Sequence, residues 1–429
     1  MADNTSKKLR NQMMYQVFVR NFSAEGTFKK VEEELDRIKA LGADVIWLMP
    51  IHPIGKVKRK GTLGSPYAIS DYRAVNPEFG TLDDFMSLVA AVHDRGMRCI
   101  IDVVYNHTSP DSVLREEHPD WFFHKSDGSF GNRVGDWSDI IDLDYSNKEL
   151  WRYQIDTLKY WAQWVDGFRC DVAPLIPIAF WEQARAEVEE VRPNALWLSE
   201  SVEPEFIMYL RSCGLTAHSD CEIYRAFDLS YDYDCYGEFK DFLYGKGSLQ
   251  AYADAVNRQE YTFPDNYVKL RFLENHDQTR ARFFLPDIST LKSMTAFMFF
   301  QKGMALVYCG QEMALPHLPS LFDKDTVDWN SAEAVDLSGF IAKLARIKRM
   351  DIFTDSVYRV RAVGDEALTA SHEKNGAKAV GVFPLRGQTS FIPVDLPDGT
   401  YSELISGAGT EVFRGGVICR GEPMILIGN

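Results

Sequence analysis

Arg169 and Asp171 stand two residues apart in "GFRCDVAPL" (167–175), inside a run of strand-like apolar residues. In a strand that spacing puts both side chains on one face. A buried charge is costly unless it is paired or has a chemical task, so the pair asks for partners. Other apolar stretches supply them. "RCIIDVVYNH" (98–107) carries Asp102, Asn106 and His107 towards its end, and "ALWLSES" (195–201) carries Glu200. "YVKLRFLENHD" (267–277) ends in Glu274, Asn275, His276 and Asp277. Brought together, two of these carboxylates could share acid–base chemistry, one as nucleophile and one as an acid kept protonated by its neighbours' charge. Glycoside cleavage needs such a pair, because nearby negative charge stabilises an oxocarbenium-like transition state. Arg169 would then hold Asp171 ionised and aimed. Taken singly, each carboxylate reads equally well as a strand cap or a core ion pair; the set is what points to chemistry. These residue types also ligate metals, but no HxH, HxxxH or HExxH spacing occurs, which argues against a catalytic metal.

For these residues to meet, the stretches that carry them must be neighbouring strands. The chain alternates short apolar strands with amphipathic helices. "MMYQVFVR" (13–20) reads as a strand, and "FKKVEEELDRIKALG" as a helix with Val31, Leu35, Ile38 and Leu41 on one face and Gly42 as its stop. "ADVIWLMP" (43–50) is the second strand; Thr81 then caps a helix with Asp84 three residues on and a stripe of Phe85, Leu88, Val89 and Val92. The remaining strands are 98–107, "VDGFRCDVA" (165–173), 195–201, "YRAFDLS" (224–230), 267–277 and "MALVYCGQE" (304–312). Eight such strands with helices between them predict a parallel (β/α)8 TIM barrel, whose chemistry sits at the C-terminal strand ends. Residues 51–80 and 108–147 are long irregular loops, the second rich in Asp, Trp and Phe. From about 355 the pattern turns to short strands of an antiparallel β-domain. The expected organisation is a barrel over 1–107 and 148–354, an inserted subdomain over 108–147, and a C-terminal β-sandwich over 355–429.

Composition narrows the partners. A net charge of −15 over 429 residues argues against nucleic acid, which needs a basic surface. The basic run "GKVKRKG" (55–61) reads as a solvated loop between glycines. No apolar stretch reaches the ~20 residues needed to span a membrane, and the nearest, "MTAFMFFQKGMALVYCG", is interrupted by Gln301 and Lys302. The polar start "MADNTSKKLRNQ" lacks a signal-peptide core. Seven cysteines at 99, 170, 213, 221, 235, 309 and 419 form no CxxC pair, which suits reduced thiols. A cytoplasmic location is therefore expected, or secretion if a leader has been removed.

"DVVYNH" (102–107), "GFRCDVA" (167–173), the glutamate of "WLSES" and "FLENHD" (272–277) resemble, in order and spacing, the four signature regions of the α-amylase superfamily, glycoside hydrolase family 13. "GSPYAISDYRAVNPEFGT" resembles its tyrosine-bearing loop after strand two, and "IIDLDYSN" its region closing the third loop. The resemblance covers about residues 12–355. It implies a retaining enzyme acting on α-1,4-linked glucans or maltooligosaccharides. In it Asp171 is the nucleophile, Glu200 the general acid/base and Asp277 the third carboxylate. Arg169, His107 and His276 contact the sugar, and Tyr67 stacks on it. Aromatics in 121–137 could line further sugar sites or pack the subdomain. Departures from the pattern matter too. Val172-Ala173-Pro174-Leu175 replaces the frequent Ala-Ala-Lys-His, which puts a reducing-end sugar contact and the usual calcium site in doubt: no cofactor is expected to be required, and a structural Ca2+ has only Asn106 to support it. Valine after the nucleophile also occurs in members that cleave α-1,6 bonds, and Gly64, where exo-glucosidases carry aspartate, suggests an open groove. The alternatives are an α-1,6-glucosidase, a neopullulanase-like enzyme or a glucan transferase, and more remotely a non-catalytic binding homologue. Retention of all three carboxylates speaks against the last.

Overall fold

The computed structural model describes residues 2–134, 137–385 and 389–428. Eight short strands, all buried along their length except for Arg98, form the centre: β1 (Met13–Val17), β2 (Val45–Leu48), β3 (Arg98–Val103), β4 (Gly167–Cys170), β5 (Leu196–Ser199), β6 (Leu229–Tyr231), β7 (Val268–Arg271) and β8 (Met304–Tyr308). Each pairs in parallel with the next, and β8 pairs with β1, so the sheet closes into a barrel with strands in sequential order. Runs such as "VIWL" and "MALVY" suit a sheet covered on both faces. The helix Leu82–Asp94 starts on a Thr81–Asp84 capping box and buries Phe85, Leu88, Val89 and Val92, as its spacing requires.

Several expected elements are shorter or broken. The first strand stops at Val17, and Val19–Phe22 turns helical. The first helix breaks at Glu34, whose φ of −97° and ψ of 0° separate Phe28–Glu33 from Leu35–Ala40. Of 224–230 only the end is strand; Asp220–Ile223 is helical and its C-cap Tyr224 leads into a turn. The third strand ends at Val103, and His107–Thr108 instead pairs antiparallel with Ile141–Asp142. That small ladder ties both ends of the inserted segment to the barrel beside β3.

Antiparallel strands begin at Val357. Val357–Val363, Ala367–Lys374, Ala377–Pro384 and Met424–Gly428 form a four-stranded sheet. Ser390–Pro393 pairs with Gly416–Cys419, and Gly399–Ser402 with Gly409–Val412. Gly409–Val412 and Gly416–Cys419 are strands the sequence pattern did not mark, because glycines and alternating exposure dilute their apolar signal. Val380, Val382, Ile392, Val412, Val417 and Leu426 share one apolar cluster between these sheets.

Candidate active site

β4 ends at Cys170 because Val172 leaves the strand conformation. Its φ of +35° and ψ of +42° are left-handed, which is rare for a β-branched residue and marks a strained site. The turn delivers Asp171 at the barrel mouth. Arg169, one strand position below it, is fully buried and reaches three carboxylates. Its Nη1 donates to Asp171 Oδ1 and Asp102 Oδ1, both at 2.8 Å. Its Nη2 lies 2.8 Å from Glu200 Oε1, an ion-pair contact whose angle is too bent for a hydrogen bond. Nε donates to Tyr231 Oη at 3.2 Å. The two-residue spacing thus does what the strand geometry requires.

Glu200, after β5, accepts from the Val172 backbone N–H at 2.8 Å. Asp277 follows β7 in a turn held by Asn275 Oδ1, which accepts from the N–H groups of Asp277 and Gln278 at 2.9 and 3.0 Å. His276 Nε2 lies 3.0 Å from Asp277 Oδ2 and 2.6 Å from Tyr67 Oη, and Tyr67 donates onward to Asp102 Oδ2 at 3.1 Å. The Tyr67 and His276 rings stack, 5.4 Å apart and 17° from parallel. His107 Nε2 stands 3.9 Å from Asp171 Oδ2, too far for a hydrogen bond but facing it. All seven residues singled out for catalysis or sugar contact therefore line one mouth.

The electrostatics separate the carboxylates. Burial pushes Glu200 up to about 8; the charges of Asp171 and Asp277 add to this, against Arg169 and the Val172 N–H. Burial also pushes Asp171 up to about 6, with Arg169 opposing and Asp102 and Asp277 adding. Arg169 thus works against desolvation, and Asp171 remains the more readily ionised of the two carboxylates it bridges. Asp277, with 36% of its side chain exposed, goes the other way. Burial would raise it, but His276 and Arg169 hold it below the ordinary value. His107 is pushed down to about 4 by burial and is neutral near pH 7.

Glu274, grouped with the others by sequence, points elsewhere. Arg280 Nη1 and the Ala281 N–H hold it at 2.5 and 2.6 Å as a core ion pair. Gly64 has φ +79°, its carbonyl accepts from Arg20 at 2.8 Å, and a Cβ there would lie within 3 Å of Arg59 and Ile54. Those side chains occupy the place an aspartate would need. Among the aromatics of 121–137, Trp121 and Phe122 are buried, while half-buried Trp137 packs 5.9 Å from His107. Sequence reading gave no part to Gln16, Tyr231 or the Val172 N–H. A glutamine inside the otherwise apolar β1 was the one available signal.

A closed barrel that gathers a higher- and a lower-pKa carboxylate around one guanidinium at its mouth has the design of a glycoside hydrolase. More particularly, the chain belongs to the α-amylase family: residues 4–132 and 117–339 match the family described as Alpha amylase, catalytic domain, and 359–426 match the Bacterial Alpha amylase C-terminal domain. An α-amylase from Lactobacillus plantarum, of known crystal structure, superposes with a TM-score of 0.96 at 48% identity, over 99% of this chain and 100% of that one. A maltogenic α-amylase from Thermotoga neapolitana superposes with a TM-score of 0.87 at 33% identity, over 98% and 99%. In sequence the chain is similar to an α-amylase of Haloarcula japonica (27% identity, 92% of this chain) and to an α-1,4-glucan:maltose-1-phosphate maltosyltransferase of Myxococcus xanthus (28%, 93%). It spans 58% and 64% of those two relatives' lengths.

Proposed function

We propose that the protein is a retaining α-glucan hydrolase acting on α-1,4 bonds of maltooligosaccharides or starch-type chains. The observation that carries this reading is the single Arg169 guanidinium bridging Asp171 and Glu200, 2.8 Å from an oxygen of each. A pair held on one guanidinium suits the ~5–5.5 Å separation of retaining enzymes better than the wider gap in which an inverting enzyme seats water. Asp171 attacks the anomeric carbon while Glu200 protonates the departing oxygen. A glycosyl ester forms on Asp171; Glu200, now ionised, takes a proton from water as that water displaces the ester. Asp277 and His276 hold sugar hydroxyls and favour the distorted ring, and Tyr67 offers its ring face. Trapping with a fluorinated glucosyl fluoride and peptide mass mapping should place the ester on Asp171; an adduct elsewhere contradicts the reading.

A glucan transferase is the second reading, favoured by the maltosyltransferase among the similar proteins. It differs only in the acceptor that opens the ester.

Calcium near Asn106 fits these residues poorly. The Asn106 amide faces His107 Nδ1 at 3.2 Å. The carboxylates across the cleft, Asp142 and Asp144, already have the Arg133 guanidinium at 3.9 and 3.5 Å. Arg133 supplies the positive charge a divalent ion would bring, so no step is assigned to a metal. No helix among the described residues is long and apolar enough to cross a membrane. Seven unpaired cysteines support a reducing compartment such as the cytoplasm.

A further inference from the structure

Gln16 is a fully buried amide in β1, 260 residues from the histidine it touches. Its Nε2 lies 2.7 Å from His276 Nδ1, while its Oε1 is buried with no hydrogen-bond partner. An orphaned buried acceptor costs stability, and turning the amide over would set Oε1 against the ring while moving the NH2 group into the unpartnered place. The consequence for His276 explains why the amide faces the other way. An amide N–H directed at Nδ1 requires a lone pair there, which puts the ring hydrogen on Nε2. From Nε2 it points at Tyr67 Oη (2.6 Å), while Asp277 Oδ2 lies 3.0 Å from the same nitrogen but off the hydrogen-bond direction. Tyr67 can then accept from the ring and pass its own hydrogen to Asp102 at 3.1 Å. The chain from Gln16 through His276 and Tyr67 to Asp102 is then continuous, each link pairing a donor with an acceptor. In the reversed orientation a neutral ring would set a lone pair beside the Asp277 carboxylate. The other group against the ring, Trp47, meets it edge-on at 5.8 Å and offers no competing acceptor.

We infer that Gln16 is a positioning residue for the reaction: its amide fixes the Nε2–H tautomer of His276, and through it the placement of Tyr67 at the sugar. The inference rests on the proposed contact of His276 and Tyr67 with the sugar. Long-range 1H–15N correlation on 15N-histidine protein, with the His276 signals identified by their loss in His276→Gln, reads the tautomer directly. The wild-type ring should carry hydrogen on Nε2 alone at pH 7. Gln16→Met, which has similar bulk and no donor, should give a mixture of tautomers, with kcat down about three- to tenfold and KM little changed. Gln16→Glu should draw hydrogen onto Nδ1. An Nδ1–H tautomer or an imidazolium in the wild type overturns the inference, even if Gln16→Met fails to fold. So does an unchanged tautomer, or an unchanged kcat, in Gln16→Met. None of these outcomes touches the stereochemistry of cleavage, so the functional reading stands or falls separately.

Discussion

Glu200 accepts a 2.8 Å hydrogen bond from the backbone N–H of Val172, a β-branched residue at φ +35°. The strain sits between the proposed nucleophile and its acid. An extended residue 172 would continue β4 instead of turning the chain into Ala173–Leu175. Strain of about 1–3 kcal/mol at such a position is retained where the surroundings and a function require it.

Val172→Gly keeps the N–H and relaxes the backbone, at the cost of some apolar contact. Its kcat should stay within about tenfold of the wild type, and its melting temperature should fall by less than that of Val103→Gly in buried β3. Val172→Pro removes the N–H and should abolish turnover; an active proline variant would show that the contact is incidental.

The pH dependence follows from the two perturbed carboxylates. In the proposed mechanism turnover needs Asp171 ionised and Glu200 protonated, so kcat/KM should form a bell with limbs near about 6 and about 8. Stability runs with a definite sign. The folded state holds a proton on Glu200 that the unfolded chain releases near the ordinary value of 4.5, so stability falls as pH rises from there towards about 8. Glu200→Gln should therefore raise the melting temperature most above pH 8 and little near pH 4. A thermal benefit that shrinks with rising pH would contradict the assignment.

Arg169→Ala leaves Asp102, Asp171 and Glu200 without the cation they share. Loss of one partner of a buried network costs about 3–5 kcal/mol of stability, and with Asp171 and Glu200 no longer held on one cation, turnover should drop about a hundredfold or more. Arg169→Lys should recover little, since one ammonium cannot fork between Asp171 and Glu200. Near-normal activity in either variant would reduce Arg169 to a structural charge.

Much of this site was legible because strand ends of a closed barrel converge whatever lies between them. The strand pattern gathered Asp102, Asp171, Glu200, Glu274 and Asp277 at one end of the barrel, and the resemblance to the family's signature regions singled out Asp171, Glu200 and Asp277 among them. Glu274 shows where that logic fails: it has the same side chain at the same strand end, yet Arg280 six residues on captures it. Gln16 and Tyr231 were hidden for another reason. Their partners His276 and Arg169 lie 260 and 62 residues away, and β6 has only three residues to announce itself. Val172 gave the opposite signal, since valine favours the extended conformation it abandons here.

Removing divalent ions should leave melting temperature and activity unchanged, because Arg133 stands between Asp142 and Asp144. Arg133→Met should destabilise the inserted segment by leaving Asp142 and Asp144 unneutralised. A large chelator effect on the wild type would place a metal there after all.

If the protein resides in a reducing compartment, all seven cysteines should titrate as thiols in denaturant without reductant. A count of five or fewer would reveal a disulfide and an oxidising location.

In the proposed mechanism Asp171 forms a covalent glycosyl ester while Glu200 first gives and then takes a proton. Proton NMR of the first product released from maltoheptaose tests it most directly, read before mutarotation blurs the anomers. Double displacement predicts the α-anomer first. A β-anomer appearing first would mean direct attack by water, and would contradict the roles of both carboxylates at once.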